Sequence, residues 1–179
     1  KYIQRQGEEK YFQNWFEKRG YEIHTLTHFQ SGEGDALFFR DTLYLGYGFR
    51  SEIESHQELS AILGVKTVSL KLINPYFYDF DLAFCPVGDR CLVYYPEAFD
   101  LKSQKILEQI PDTVALNSKE ANGFVGNSVL VGDTLFVEYT DAHINNKLRK
   151  YQVKTRVFPM SEFNKSGGGI KCLTLFLEH

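Results

Sequence analysis

Near the end of the chain, "KSGGGIKCLTL" (165–175) sets one cysteine, Cys172, between three glycines and an apolar run. A cysteine there is either a nucleophile held beside pliable backbone or a small buried side chain, and only its thiolate attacks. Three other stretches carry side chains able to do chemistry. "SGEGDAL" (31–37) brings Glu33 and Asp35 to the start of an apolar strand, where a carboxylate can satisfy turn amides or meet a cationic ligand. Arg50, in "GYGFRS", stands just ahead of a helix whose first-turn acids it could pair with. "DFDLAFCP" (79–86) places Asp79 and Asp81 on one face of an extended segment, as a functional pair or as solvated turn acids. Lys165, beside the glycines, reads as a loop charge.

The five histidines, His24, His28, His56, His143 and His179, show no metal-ligand spacing, and Cys85, Cys91 and Cys172 form no CxxC motif. Neither a metal nor a cofactor is expected. Cys85 and Cys91 flank a turn, but reduced thiols suit an intracellular protein, of the cytoplasm or the mitochondrial matrix.

The elements that must position these groups repeat. "RDTLYLGY" from residue 40, "GDRCLVYY" from 88 and "GDTLFVEY" from 132 are each a turn followed by an apolar strand ending in Tyr. "DALFF", "LAFCPV" and "NSVLV" precede the turns, helical segments follow at 51–64, 101–110 and 141–150, and strands "VKTVSLKL", "DTVAL" and "VKTRVFP" come next. The first helix carries the clearest signals: a Ser51/Glu54 capping box, a stripe of Ile53, Leu59, Ile62 and Leu63, and a stop at Gly64. His56 and His143, on predicted helices, are expected to face solvent, and the Tyr ending each unit to serve packing. A ββαβ unit recurring at this period predicts a modular α/β array.

Around the units, "EKYFQNWFEKRG" reads as a helix presenting Tyr11, Phe12, Trp15 and Phe16 on one face and stopping at Gly20. "YEIHTLT" reads as a strand, and 170–177 as a closing strand. The expectation is one domain, 1–179: residues 1–27 end a preceding module, 28–169 hold three modules, and 170–179 close the arc. Its open sheet edges call for a further chain, an N-terminal segment or a larger assembly to cover them.

A formal charge of -3 with scattered Lys and Arg excludes a basic nucleic-acid-binding face. Its 43% hydrophobic content suits a folded core, and no apolar run approaches the ~20 residues of a membrane span.

With "GEGDALFFRDTLYLGYGFRS", "SHQELSAILGVKTVSLKLINPYFYDFDLAFCP", "YYPEAFD" and "FNKSGGGIKCLTL" in view, the chain resembles the guanidino-group-modifying superfamily of arginine deiminases, dimethylarginine dimethylaminohydrolases, amidinotransferases and arginine dihydrolases. The resemblance implies a five-module αβ-propeller of the pentein type, of which this chain is the C-terminal portion. It also implies an arginine-like ligand and a covalent thiouronium chemistry, with Cys172 at the nucleophile's position, Asp35 at the aspartate of the G-D motif and Arg50 where a substrate carboxylate is often held.

Two departures stand out. Where the family reads H-L-D-T-x-F-C-P this chain has "DFDLAFCP", so Asp79 takes the place of the acid/base histidine. Where it reads F-E-G-x-G-D the chain has "QSGEGD", so Ser31 takes the place of a guanidinium-clamping glutamate, with Glu33 nearby. An ionised carboxylate has no proton to give and raises the pKa of a neighbouring thiol. The expected function is a catalytically degenerate homologue, a pseudoenzyme acting as a structural or assembly subunit. The alternative is a cysteine-dependent hydrolase or amidinotransferase in which Asp79, if kept protonated, or a relocated His24 or His28 supplies the proton.

Overall fold

A computed structural model describes residues 7–177. Its strands are β1 (Ala36–Phe39), β2 (Thr42–Tyr47), β3 (Lys66–Lys71), β4 (Phe84–Val87), β5 (Cys91–Tyr94), β6 (Thr113–Ala115), β7 (Val129–Val131), β8 (Thr134–Val137) and β9 (Lys154–Val157). Its α-helices are α1 (Glu9–Glu17), α2 (Glu54–Leu63), α3 (Leu101–Leu107), α4 (Ser118–Asn122), α5 (Ala142–Arg149) and α6 (Ser161–Asn164).

The strands form three sheets of three, ordered β1-β2-β3, β4-β5-β6 and β7-β8-β9. In each, a hairpin makes the first pair antiparallel, and the chain returns through a helix to lay the third strand parallel to the second. This is the ββαβ unit read from the repeats, three times over. The backbone repeats in finer detail too. The hairpin turns take positive φ at Arg40 (52°), Gly88 (55°) and Gly132 (63°), and the corners entering the third strands do so at Gly64 (64°), Asp112 (59°) and Gln152 (57°). Left-handed backbone is what these tight corners demand, and a non-glycine residue there is held by its contacts. Arg40 is so held: its Nη2 pairs with Asp112 Oδ2 at 2.7 Å and its Nε donates to the Asp89 carbonyl at 3.1 Å, both in the second module. Arg90 repeats the reach one module later, donating to the carbonyls of Gln152 (3.0 Å) and Gly132 (3.4 Å).

One apolar core runs through all three units. At its centre Phe80 stacks on Phe84 with ring centroids 4.3 Å apart and meets Phe99 edge-on at 5.9 Å. Among the described residues no helix is long and apolar enough to cross a membrane.

Several expectations are corrected. Neither 21–27 nor 170–177 forms a strand; Lys171–Leu173 is instead a 3-10 turn. A strand exists only with a hydrogen-bonding neighbour, and among the described residues no strand lies beside either segment. Residues 178 and 179 of the expected closing strand, with His179, lie outside the described residues. The aromatic face of α1 is uncovered, with Tyr11 80% and Phe12 55% exposed. There is no Ser51 capping box: Ile53 occupies the N-cap position of α2, and Ser51 turns inward. The stripe of α2 is shallower than its pattern, leaving Ile53 and Leu63 largely exposed. His56, expected outside, is buried at 3% exposure between Ser69 Oγ (2.7 Å) and the Gly46 carbonyl (3.3 Å), and burial lowers its pKa.

Candidate functional site

A short 3-10 turn opens each module: Gly32–Gly34 before β1, Phe80–Leu82 before β4 and Val125–Asn127 before β7. Lys171–Leu173 is a fourth such turn. The middle residues of the four are Glu33, Asp81, Gly126 and Cys172, and three of them, all but the glycine, deliver side chains distant in sequence to one place.

There a cleft of about 370 Å³ is lined by Glu33, Arg50, Asp79, Asp81, Lys171 and Cys172, among others. Four of the five residues singled out from sequence, Cys172, Asp79, Arg50 and Glu33, thus share one cavity. The fifth, Asp35, lies beneath it and is fully buried. Its Oδ2 accepts from Ser51 Oγ (2.6 Å) and Ser51 N–H (3.2 Å), and its Oδ1 from Phe80 N–H (2.9 Å). Burial raises its pKa, against the pull of those donors. Asp35 ties the first turn to the second and sets the cleft floor.

The thiol of Cys172 is in close company. It donates to Asp81 Oδ2 at 3.3 Å and accepts from Asn127 Nδ2 at 3.2 Å. Burial first, and then the Asp81 charge, pushes it up to about 12, so the resting sulfur is protonated. Asn127, fully buried, also donates to the Asp81 carbonyl (3.0 Å) and accepts at Oδ1 from Gly169 N–H (3.0 Å) and Cys172 N–H (3.4 Å). The glycines are needed for contact: a Cβ on Gly168 would stand 3.1 Å from the Cys172 sulfur, and one on Gly169 would overlap the Glu138 carboxylate.

The carboxylates differ in their partners. Asp79 Oδ2 pairs with Arg50 Nη1 at 2.8 Å, and Asp79 Oδ1 accepts a long bond from Ser31 Oγ at 3.4 Å. The Arg50 guanidinium also lies over the Tyr78 ring, 4.5 Å from its centroid. Glu33 Oε2 pairs with Lys171 Nζ at 2.6 Å. Asp81 is 3% exposed, and its Oδ1 has no hydrogen-bond partner. Burial pushes Asp79 up to about 6, against the pull of Arg50, and burial with the Asp79 charge pushes Asp81 up to about 7.

No family model matches the chain. Among curated proteins it is 41% identical to the bifunctional arginine dihydrolase/ornithine cyclodeaminase ArgZ of Synechocystis, over 96% of this chain and 25% of that protein. It is 33% identical to the N(G),N(G)-dimethylarginine dimethylaminohydrolase of Mycobacterium tuberculosis, over 98% of this chain and 58% of that protein. The crystal structure of the substrate-bound N-terminal domain of ArgZ, an arginine dihydrolase, superposes with a TM-score of 0.93 at 40% identity, covering 97% of this chain and 67% of that one. The chain belongs to the guanidino-group-modifying pentein superfamily. A Pseudomonas aeruginosa dimethylarginine dimethylaminohydrolase, at 17% identity and a TM-score of 0.73, shares the pentein fold. The chain spans about a quarter of the bifunctional relatives and just over half of the mycobacterial one.

Against that pentein frame, no histidine lines the cleft among the described residues. His28 bonds Glu58, which raises its pKa, and His24 pairs with Glu22 at 3.1 Å. His143 pairs with the buried Glu120 at 2.6 Å, and with Asp141 these form a group whose ligand-type atoms lie within 4.8 Å of one another. Those atoms are committed to each other, to Tyr139 and to helix-capping amides, and stand apart from the cleft. Sequence reading left Asp81 undecided and passed over Asn127 and Lys171. The repeat could have exposed Asp81, since it holds the position of Glu33 one unit on; Asn127 gives no such signal.

Proposed function

We propose that the chain is the nucleophile-bearing portion of a guanidine-binding pentein that has lost efficient turnover and serves as a structural or assembly subunit. One observation carries this reading: the cleft holds no histidine among the described residues, and Asp79, which the resemblance sets at the histidine's position, is salt-bridged there to Arg50. Asp81 supports retained binding, because a buried carboxylate with an unpartnered oxygen beside the Cys172 thiol suits a planar N–H donor cation. Structures of the ArgZ domain bound to substrate and covalently bound to a reaction intermediate make arginine-like guanidines the natural ligand class. General acid/base catalysis is commonly worth ~10² to 10⁴ in rate, and its loss leaves a site that binds far better than it reacts.

A second reading, a slow cysteine-dependent hydrolase or amidinotransferase, draws on the proton affinities of Asp79 and Asp81. Carboxyls held at about 6 and about 7 keep a proton within reach of neutral pH. The Cys172 thiol would pass its proton to Asp81 as its sulfur attacks the guanidinium carbon, a carboxyl would protonate the amine departing as a C–N bond breaks, and water or an amine would then displace the sulfur, which recovers a proton. Incubating the complete protein with arginine, agmatine and dimethylarginine, and assaying urea, citrulline and ammonia, separates the two. Silence is expected, with turnover appearing in the Asp79→His, Ser31→Glu double variant. Turnover by the wild type that vanishes in Cys172→Ala overturns the degenerate reading.

A further inference from the structure

We propose that Tyr78 is a positioning residue for the Cys172 sulfur: its hydroxyl holds the glycine loop so that the Gly169 amide stays aimed at the thiol. The inference rests on Cys172 as the reactive group of the cleft, and not on whether a guanidine binds there. From Phe163 to Gly167 the backbone bonds are local. Ser166 N–H donates to the Phe163 carbonyl (2.8 Å), Gly167 N–H donates to the Asn164 carbonyl (2.9 Å), and Lys165 pairs with Glu162 at 2.7 Å. Bonds of this kind shape the turn without tying it to the modules. The third module ties it at Gly169, whose N–H donates to Asn127 Oδ1 at 3.0 Å and whose α-carbon packs on the Glu138 carboxylate. The second module ties it at Gly167, whose carbonyl accepts from Tyr78 Oη at 3.0 Å. A Cβ on Gly167 would stand 2.6 Å from that oxygen, and its φ of 83° is one that glycine adopts without strain.

Tyr78 is braced for this task. Its ring packs against the core, and the Arg50 guanidinium lies over its face while pairing with Asp79, the next residue. What the anchor protects is the direction of one amide. Burial and then the Asp81 charge keep the thiol protonated, and of the groups that favour the thiolate the Gly169 amide comes ahead of Asn127. A backbone N–H stabilises an anion only while aligned with it, and Gly169 follows the anchored carbonyl by two residues. The charged side chains lining the cleft are Glu33, Arg50, Asp79, Asp81 and Lys171. Tyr78→Phe alters none of them and keeps the ring beneath Arg50, so it removes the anchor alone.

The test is alkylation of Cys172 in the complete protein and in its Tyr78→Phe variant, with iodoacetamide and with the bulkier N-ethylmaleimide, from about pH 7 to 9. The modified cysteine is located by peptide mass; Cys172 is exposed, whereas Cys85 and Cys91 are buried. Loss of the anchor is expected to slow both reagents by the same factor, roughly two- to tenfold, as befits one hydrogen bond's worth of thiolate stabilisation. The rate profile should move toward higher pH, and the amides of 167–169 should exchange with solvent faster. Unchanged rates overturn the proposal. Slowing of only one reagent makes Tyr78 a matter of access and overturns it too, as does slower alkylation with unchanged exchange in the loop. A wild-type Cys172 that neither reagent modifies is not the reactive group, and the inference falls with it. Guanidine binding is measured separately, by titration of the wild type with arginine, and its failure overturns that reading while leaving the role of Tyr78 standing.

Discussion

Asn127 shows how a single side chain can organise the surroundings of a thiol. Its amide nitrogen supports the Cys172 sulfur while its oxygen gathers the Gly169 and Cys172 amides. A hydrogen bond to a charged group contributes about 1.5–3 kcal/mol, so losing the one that favours thiolate should slow alkylation of Cys172 by iodoacetamide roughly tenfold at pH 8 in Asn127→Ala. The pH midpoint of alkylation should also move upward, and further in Asn127→Asp, where a negative charge replaces the donor. A change in stability with an unmoved pH profile would mean that Asn127 only packs. At this scale the sequence was legible in which residues meet: Cys172, Asp79 and Arg50, picked out by the motifs they stand in, line one cleft. It was illegible for Asp35, whose carboxylate has the same formula in a ligand site as in a hydrogen-bonded floor. Only burial against Ser51 and Phe80 tells the two apart.

Elements were legible in proportion to how locally they are specified. The three hairpins and their crossover helices carry turn residues, alternation and caps in their own sequence, and all three sheets appear where the repeats placed them. The segments 21–27 and 170–177 have the alternation of strands but depend on a neighbour for their hydrogen bonds, which no local pattern supplies. Ser51 likewise had two competing partners, a helix amide and a buried carboxylate, and the carboxylate won because it has no water to fall back on. Close approach between elements was also unreadable. Gly46 in β2 lies against Phe80, and a Cβ there would overlap the phenylalanine's own Cβ. Gly46→Ala should therefore destabilise by about 1–3 kcal/mol, as overpacking does, measured by the urea midpoint. A variant that unfolds at the wild-type midpoint would show that β2 and the second turn can part at no cost.

Across the whole molecule, the cleft sets a pH dependence on folding. Asp79 and Asp81 bind protons more tightly in the folded chain, at about 6 and about 7, than the ~4 of an unfolded carboxyl. Between those limits the native state holds more protons, so this contribution is fullest near pH 4 and is lost as pH rises through 7. The groups facing Asp81 are Asp79, Asp35, Lys171 and the Cys172 thiol, and the two acids oppose its ionisation while Lys171 favours it. Buried His56 acts in the opposite sense, since its lowered pKa favours the folded state at higher pH. The informative quantity is thus a difference: Asp81→Asn should raise the melting temperature at pH 7.5 by more than at pH 5. An equal shift at both values would remove Asp81 as the source. At neutral pH the molecule carries its cleft as a local liability, a pattern common to sites shaped for a ligand.

The two turn arginines have a consequence of their own. Arg40 grips the second module and Arg90, from the second, grips the third. Loosening either outer unit therefore releases one grip, whereas loosening the middle unit releases both. Its strands are also the most enclosed, with every residue of β5 buried. Where neighbouring repeats stabilise one another, a unit held by two such grips opens less readily than one held by a single grip. Of these three units the middle one, which carries Asp79 and Asp81, is then the slowest to exchange its amide protons, and two of the cleft's three acids are anchored in the most persistent of them.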